Sequence, residues 1–239
     1  MPTRAVLFDL GNTLVSYYRA PEFPTILRQC LMACLEELGL AGAALDGDLH
    51  TRALALNRET PEHTVWPLGE RLAVLFPDCA TDPPTLARLS RAFLEPIFAT
   101  ARLDPEALPL LAALRASGIR TAIVSNTPWG SQAQAWRAEL SRHGLLAAVD
   151  ATVFCVDAGH RKPHPAPIER ALGALGVSPK DAIFVGDDVR WDVAGARAAG
   201  VRPVLIAPAG TADLPSDVSI IHSLRSVPEH LGSMHDGGT

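Results

Sequence analysis

Near its amino terminus the chain reads Val6-Leu7-Phe8-Asp9-Leu10-Gly11-Asn12-Thr13-Leu14. An apolar run that stops at a carboxylate and continues into Gly, Asn and Thr is typical of a buried strand followed by a turn. In open α/β sheets the carboxyl ends of the strands carry the functional groups. The pattern therefore predicts a buried strand over residues 4–10 and a functional role for Asp9.

Strands and helices alternate regularly after residue 104. The apolar pattern predicts strands at 119–125, 151–156, 182–185, 201–206 and 218–221, and helices at 130–143, 165–175 and 191–199. Such alternation requires right-handed crossovers between parallel strands. The expected fold class is therefore α/β, with a Rossmann-like, doubly wound and mostly parallel sheet.

The segment between the first strand and this alternating region is helical in pattern. Apolar residues repeat on one helical face between 26 and 38, further helices are predicted near 45–58, 67–76 and 83–99, and no convincing strand lies between Val15 and Thr100. We therefore expect an α/β core of residues 1–15 and 101–231, an inserted all-helical cap of residues 16–100, and a flexible tail of residues 232–239.

The composition excludes several classes of function. The 239 residues carry a formal net charge of −5 and no Lys/Arg cluster, so a nucleic-acid partner is not expected. No apolar run is long enough to cross a bilayer and no signal peptide is recognisable, which predicts a cytoplasmic protein without a membrane partner. The four cysteines, Cys30, Cys34, Cys79 and Cys155, show no metal-binding spacing. The sequence leaves the oligomeric state open.

Polar side chains follow the ends of the predicted strands. They are Asp9, Ser125-Asn126, Lys162 in the loop after the third strand, and Asp187-Asp188 with Asp192 after the fourth. Taken singly, each is explained as well by a turn, an exposed lysine or a helix N-terminal charge. Their common position at strand ends instead predicts one shared site.

These residue types suit phosphoryl transfer. An aspartate carboxylate can attack phosphorus and form an acyl-phosphate, which divides one difficult step into two. Asp9 and Asp187 offer the hard oxygen ligands that Mg²⁺ prefers. Lys162 supplies a positive charge for the phosphoryl oxygens, and Ser125 with nearby backbone N–H groups can donate hydrogen bonds to them.

The same residues carry a family resemblance. The chain resembles the haloacid dehalogenase superfamily, whose four motifs are matched by Asp9 and Thr13, by Ser125 and Asn126, by Lys162-Pro163, and by Gly186-Asp187 with Asp192. The helical insertion resembles the cap of that family. The resemblance covers roughly residues 4–210.

The resemblance implies a role for each matched residue. Asp9 would be the nucleophile, and Thr13, Ser125, Asn126 and Lys162 would complete the catalytic set. Asp9, the backbone carbonyl of Gly11 and Asp187 would hold Mg²⁺, with Asp188 assisting through water. Asp192 would orient Lys162 or the metal site.

Gly11 departs from the family pattern. Phosphatases of the family have a second Asp at this position as general acid and base, and losing such a group costs about 10²–10⁴ in rate. Candidate replacements are Asn12, His63, His160 and His164. A turn role is favoured for Asn12, solvent-exposed loop positions are favoured for His160 and His164, and a reach of His63 from its cap segment into the site is not favoured. Arg19, in the linker to the cap, is equally well explained as a contact to an anionic substrate or as a solvated charge.

Three groups within the superfamily lack the second Asp. Haloacid dehalogenases have an aromatic residue there and need no metal. Phosphonoacetaldehyde hydrolase uses a cap lysine, and residues 16–100 contain no lysine, which argues against this activity. Sugar-phosphate-type phosphatases with an Asp-Leu-Gly-Asn motif resemble Asp9–Asn12 most closely. We therefore expect a Mg²⁺-dependent phosphatase of small phosphorylated metabolites that forms an aspartyl-phosphate. A catalytically impaired phosphate-binding or regulatory protein and a 2-haloacid dehalogenase-like hydrolase stay open as alternatives.

Overall fold

A computed structural model describes residues 3–40, 47–78 and 82–232. Its strands are β1 (Ala5–Phe8), β2 (Val15–Ser16), β3 (Arg102–Leu103), β4 (Arg120–Ser125), β5 (Ala151–Phe154), β6 (Ala182–Gly186), β7 (Arg202–Ile206) and β8 (Ser219–Ile221). Six of them form one parallel sheet in the order β5-β4-β1-β6-β7-β8. The predicted doubly wound, mostly parallel α/β sheet is confirmed.

The helices lie between these strands in the chain. They are α1 (Phe23–Glu37), α2 (Gly47–Leu56), α3 (Leu68–Leu75), α4 (Pro83–Ala99), α5 (Ala107–Ala116), α6 (Ala133–Arg142), α7 (Leu145–Ala148), α8 (Cys155–Ala158), α9 (Ala166–Leu175) and α10 (Ala194–Ala198). Short 3-10 segments cover Ala20–Glu22, Pro128–Gly130, Pro179–Asp181 and Leu224–His230, and a π-helical turn covers Val189–Val193. Among the described residues, the helical block between β2 and β3 contains α1 to α4 and the 3-10 segment Ala20–Glu22.

Strand β1 lies at the centre of the sheet because both of its faces are apolar. Leu7 packs against Ile168 of α9 in one hydrophobic cluster. Phe8 belongs to a second cluster on the opposite face, with Leu111 of α5 and Leu140 of α6. Strands covered by helices on both faces read as continuous apolar runs, and this explains the sequence that precedes Asp9.

Two of the sequence predictions differ from the structure at their ends. The strand predicted over 151–156 stops at Phe154, because the Asp157 carboxylate accepts a hydrogen bond from the Phe154 backbone N–H at 2.9 Å and starts the α8 turn. The helix predicted from residue 191 begins earlier as the π-helical turn. Asp188 Oδ1 caps that turn, since it accepts hydrogen bonds from the N–H groups of Arg190 at 2.7 Å and Trp191 at 3.0 Å.

The expectation that no strand lies between Val15 and Thr100 is wrong at its first two residues. Val15 and Ser16 form β2, which pairs antiparallel with Leu103 and Arg102 of β3. The two chain segments that enter and leave the helical block run side by side, so their backbone N–H and C=O groups form hydrogen bonds with each other. A two-residue strand is too short to leave a periodic signal in the sequence.

The helical block rests on the loops that follow β4 and β5. Backbone hydrogen bonds join Val65 N to Gly159 O at 2.9 Å and Arg161 N to His63 O at 2.7 Å. Trp129 stacks on Phe93 of α4 with the ring centroids 5.0 Å apart. These contacts hold the helical block, which we call the cap, against the loops of the sheet, and we call this contact region the seat of the cap.

Gly130 allows this seat to close. Its φ is +65°, and a Cβ at this position would collide with the carbonyl oxygen of Trp66. A glycine is needed there for both reasons, since the left-handed region disfavours other residues and the two backbones come too close for a side chain.

Some predictions lie outside the described residues. These are residues 233–239 of the predicted tail, Cys79, and the first two residues of the helix predicted near 45–58. Cys30, Cys34 and Cys155 are buried free thiols. Within the described ranges, no helix has the length and apolar character of a membrane-spanning segment.

Candidate active site

A cavity of about 280 Å³ lies between the carboxyl edge of the sheet and the cap. Its lining residues are Asp9, Leu10, Gly11, Asn12, Tyr17, Tyr18, Ile97, Ser125, Asn126, Pro128, Trp136, Arg161, Lys162, Asp187, Asp188, Trp191 and Asp192. The cavity therefore contains every predicted site residue except Thr13. We call the group Asp9, Lys162, Asp187 and Asp192 the floor, and the group Tyr17, Tyr18, Ile97 and Arg161 the roof.

Lys162 is the centre of the floor. Its side chain is 1 % exposed, and its Nζ donates hydrogen bonds to Asp9 Oδ1 at 2.6 Å, Asp192 Oδ1 at 2.6 Å and the Val124 carbonyl at 2.8 Å. Burial alone would lower the pKa of this lysine, but the charges of Asp192 and Asp9 outweigh it and raise the pKa. Lys162 therefore stays charged with all three of its N–H donors used.

Asp192 fixes Lys162 from the opposite side. Its second oxygen accepts a hydrogen bond from the Asp188 backbone N–H at 3.1 Å. Gly186 makes room for it, because a Cβ at residue 186 would overlap the Asp192 carboxyl group. Asp192 is therefore held between the Lys162 ammonium group and the backbone of residue 188.

Asp187 is half-buried beside these groups. Burial and the neighbouring charges of Asp9, Asp192 and Asp188 raise its pKa to about 8. Burial is also the first cause that raises the pKa of Asp192, to about 7. Four carboxylates with one lysine carry an excess of negative charge, which a bound cation would remove.

The acidic cluster fits a metal ion. Oxygens of Asp9, Asp187 and Asp192 lie within 4.8 Å of one another. Asp9 Oδ2 and Asp187 accept no hydrogen bond within the described residues, whereas both Asp192 oxygens are engaged. Carboxylate oxygens of this kind are hard ligands suited to Mg²⁺. Gly11 and Asp188 also line the cavity, but one oxygen of Asp188 is committed to capping the π-helical turn.

The side chains of Ser125 and Asn126 differ in their hydrogen bonding. Ser125 is 7 % exposed at the end of β4, and its hydroxyl makes only a long contact of 3.5 Å to the Asn126 carbonyl. The Asn126 amide is committed to the Lys162 backbone, which it bonds through both N–H at 2.9 Å and C=O at 3.0 Å. Asn126 therefore holds the Lys162 backbone in place, whereas the Ser125 hydroxyl makes no short hydrogen bond among the described residues.

Thr13 lies below the cavity. Its side chain is 3 % exposed, and its Oγ1 is buried without a hydrogen-bond partner within the described residues. The structure places it next to the loop that turns after Asp9 but does not bring it into the lining.

The structure separates the candidates for the missing acid and base. Asn12 lines the cavity and has φ of 54°, as a turn residue would. His63, His160 and His164 are not among the lining residues. The rings of His160 and His164 are half-buried and stack on each other with centroids 4.0 Å apart, instead of being exposed as expected. Arg19 is exposed and also outside the lining.

The roof was not predicted. Tyr17 and Tyr18 come from the strand β2 linker, Ile97 from α4, and Arg161 directly precedes Lys162. Tyr17 Oη and Arg161 Nε are buried without a hydrogen-bond partner within the described residues. The available sequence signals were the aromatic pair Tyr17-Tyr18 beside the first motif and the dipeptide Arg161-Lys162. Neither predicts a cavity unless the position of the cap on the sheet is known.

Comparisons with known proteins agree with this geometry. A family model described as haloacid dehalogenase-like hydrolase matches residues 3–200. The phosphoglycolate phosphatase of Rhodospirillum rubrum is 33% identical to the chain, and the match covers 98% of this chain and 93% of that protein. The glyceraldehyde 3-phosphate phosphatase of Methanopyrus kandleri is 27% identical, with 85% and 83% of the two chains covered.

A solved structure has the same fold. The HAD phosphatase from Thermococcus onnurineus superposes with a TM-score of 0.68 at 24% identity, with 96% of this chain and 98% of that chain covered. The family match spans most of the chain and includes the whole floor. The chain therefore belongs to the haloacid dehalogenase-like hydrolases.

Proposed function

We propose that the chain is a Mg²⁺-dependent phosphatase of small phosphorylated metabolites that acts through an aspartyl-phosphate on Asp9. The observation that carries this proposal is the buried lysine bonded to Asp9 and Asp192 in the lining of the cavity. The names of the two curated relatives support a phosphatase. They specify different leaving groups, an acid and an aldehyde, so the leaving group must be inferred from this cavity.

The floor suits the first step of the reaction. Lys162 holds the Asp9 carboxylate in place. One oxygen of this carboxylate attacks phosphorus and displaces the substrate alkoxide, and the other is left for the metal ion. Lys162 and the Ser125 hydroxyl then lie beside the phosphoryl oxygens. When bound by Asp9, Asp187 and the Gly11 carbonyl, Mg²⁺ supplies positive charge that neutralises those oxygens. Water then attacks the phosphorus of the aspartyl-phosphate, which releases phosphate and restores the carboxylate.

Gly11 determines which leaving groups depart readily. Without a carboxyl group at residue 11, the leaving oxygen lacks the general acid of the family pattern. We therefore expect aryl phosphates, whose leaving groups need little protonation, to react faster than alkyl phosphates. A Cβ at Gly11 would have Asp9 Oδ2 as its nearest neighbour at 4.0 Å, so the backbone there has room to start a side chain.

The test compares wild type, Gly11→Asp and Asp9→Asn on an aryl phosphate and a panel of small alkyl phosphates. We expect Mg²⁺-dependent phosphate release by wild type and no release by Asp9→Asn. Gly11→Asp should accelerate the alkyl esters by about 10²-fold or more and change the aryl ester little.

Other outcomes would contradict the proposal. Phosphate binding without turnover in wild type, with turnover appearing only in Gly11→Asp, would indicate a phosphate-binding or regulatory protein. Halide release from 2-haloacids without metal would indicate a dehalogenase.

A further inference from the structure

Two cationic side chains line the cavity among the described residues, and they differ in how their charge is balanced. Lys162 is bonded to two carboxylates of the floor. Arg161 has no carboxylate within ion-pair distance in the described part of the chain. The roof therefore contains a guanidinium that has no ion-pair partner among the described residues.

The position of Arg161 is fixed although its charge is not paired. Its Nη1 donates to the Thr127 carbonyl at 3.0 Å, and its backbone N–H donates to the His63 carbonyl of the cap at 2.7 Å. Its Nε is buried and has no acceptor within the described residues. A buried N–H donor without a partner costs free energy, so this geometry indicates a missing acceptor.

The surroundings of Arg161 add to the positive charge. Burial lowers the pKa of Arg71 to about 10, and the nearby charge of Arg161 is the second cause. The Arg71 guanidinium is itself occupied, since it donates to the carbonyl oxygens of Trp66 and Leu56 and lies over the Trp66 ring. Arg71 does not line the cavity, so Arg161 is the cation on this side that a ligand can reach.

Resting on the proposed function, we propose that Arg161 binds an anionic group at the end of the substrate opposite the phosphoryl group. The phosphoryl group lies on the floor with Asp9 and Lys162, and the second anionic group lies under the roof. The substrates are then small phosphorylated acids or bisphosphates, and neutral sugar or alcohol phosphates are poor ligands. Guanidinium groups bind both carboxylate and phosphate oxygens with charge-assisted hydrogen bonds.

Three phosphonates that cannot be hydrolysed test this by calorimetry in the presence of Mg²⁺. They are 3-phosphonopropionate, propane-1,3-diyl bisphosphonate and the neutral-ended 3-hydroxypropylphosphonate. We expect wild type to bind at least one of the first two at least about tenfold more tightly than the third, the gain of a charge-assisted contact. Which of the two it prefers identifies the second group as carboxylate or phosphate.

Variants assign the preference to Arg161. Arg161→Gln should reduce it to within about twofold, while Arg161→Lys should retain part of it. Arg19→Gln, which removes an exposed arginine outside the cavity, should keep it. Thermal unfolding of each variant shows that the fold is intact.

Two results overturn the inference. One is equal or undetectable binding of the three phosphonates by wild type. The other is an equal loss for all three in Arg161→Gln, which would place Arg161 at the phosphoryl group or in loop anchoring. Because the ligands are inert, a retained preference in a protein without phosphatase activity would uphold the inference while the proposed function failed.

Discussion

The floor and the roof of the cavity differ in how far their polar side-chain atoms are hydrogen-bonded. On the floor, Lys162 uses all three N–H donors on protein acceptors, and Asp192 uses both oxygens. On the roof, Tyr17 Oη and Arg161 Nε are buried without protein partners. Lys162 and Asp192 therefore have their hydrogen bonds without substrate and should contribute to stability. The two roof atoms should gain partners when a ligand binds. Substitutions in the two regions should therefore differ in their effect on stability.

The largest effect on stability is expected from Lys162→Met. Removing the only buried cation of the floor leaves Asp9, Asp187 and Asp192 close together with no positive charge between them. Breaking a buried ion pair on one side typically costs about 3–5 kcal/mol. Chemical denaturation of metal-free wild type and variant measures the loss.

Lys180→Met is the matched control, since it removes the only other lysine of the chain from an exposed position. We expect its unfolding free energy to stay close to that of wild type. A loss of less than about 1 kcal/mol in Lys162→Met would show that the floor does not contribute to stability as described.

A second effect tests the seat that carries the roof. Gly130→Ala forces a left-handed conformation on an alanine and drives its Cβ into the Trp66 carbonyl. Left-handed strain alone costs about 1–3 kcal/mol. Gly118→Ala has the same strain at φ +71° with no atom within 4 Å of the new Cβ. Thermal unfolding should show a larger loss for Gly130→Ala, and equal losses would mean that the cap contact is not tight.

A third effect concerns pH and the metal-free floor. The folded-state pKa values of Asp187 and Asp192 are raised to about 8 and about 7, from 3.8. Between the unfolded-state pKa of 3.8 and these raised values, the folded protein binds more protons than the unfolded chain. The free energy of unfolding therefore falls as the pH rises through this range. One proton accounts for at most about 1.4 kcal/mol per pH unit.

Denaturation in EDTA at pH 6 and pH 8 measures this slope. We expect lower stability at pH 8 in wild type, a smaller difference in Asp187→Asn, and recovery at pH 8 when Mg²⁺ is added. A stability that rises with pH across this range would contradict the electrostatic description of the floor.

The smallest effect is expected on the roof. Burial, followed by Glu139 and Asp9, raises the pKa of Tyr17, so its hydroxyl keeps its proton. Because this hydroxyl has no protein acceptor within the described residues, Tyr17→Phe should leave stability unchanged or raise it by up to about 1 kcal/mol. A clear loss of stability on calorimetric unfolding would show that the roof, like the floor, is already satisfied.

The same contrast explains what the sequence could predict. Asp9, Ser125 and Asp187 follow apolar strands, so the period of the sheet places them at one edge. Tyr17 and Arg161 reach the cavity only because the cap rests on the loops after β4 and β5, and no local pattern encodes that contact. The separate tasks of Asp188 and Asp192 depend on a π-helical turn that helical periodicity does not reveal.

Arg161 and Lys162 are neighbours in the chain, and this adjacency sets a length scale. Consecutive Cα atoms are about 3.8 Å apart, and both backbones are tied, Arg161 to His63 and Lys162 to Asn126. The separation of the two cationic heads is therefore built into one peptide unit and two side chains. The distance between the two anionic groups of a ligand must match the distance between these two cationic groups. This hydrolase should therefore select ligands by length as well as by charge. A ligand with a longer spacer between its anionic ends would lose the contact at one end.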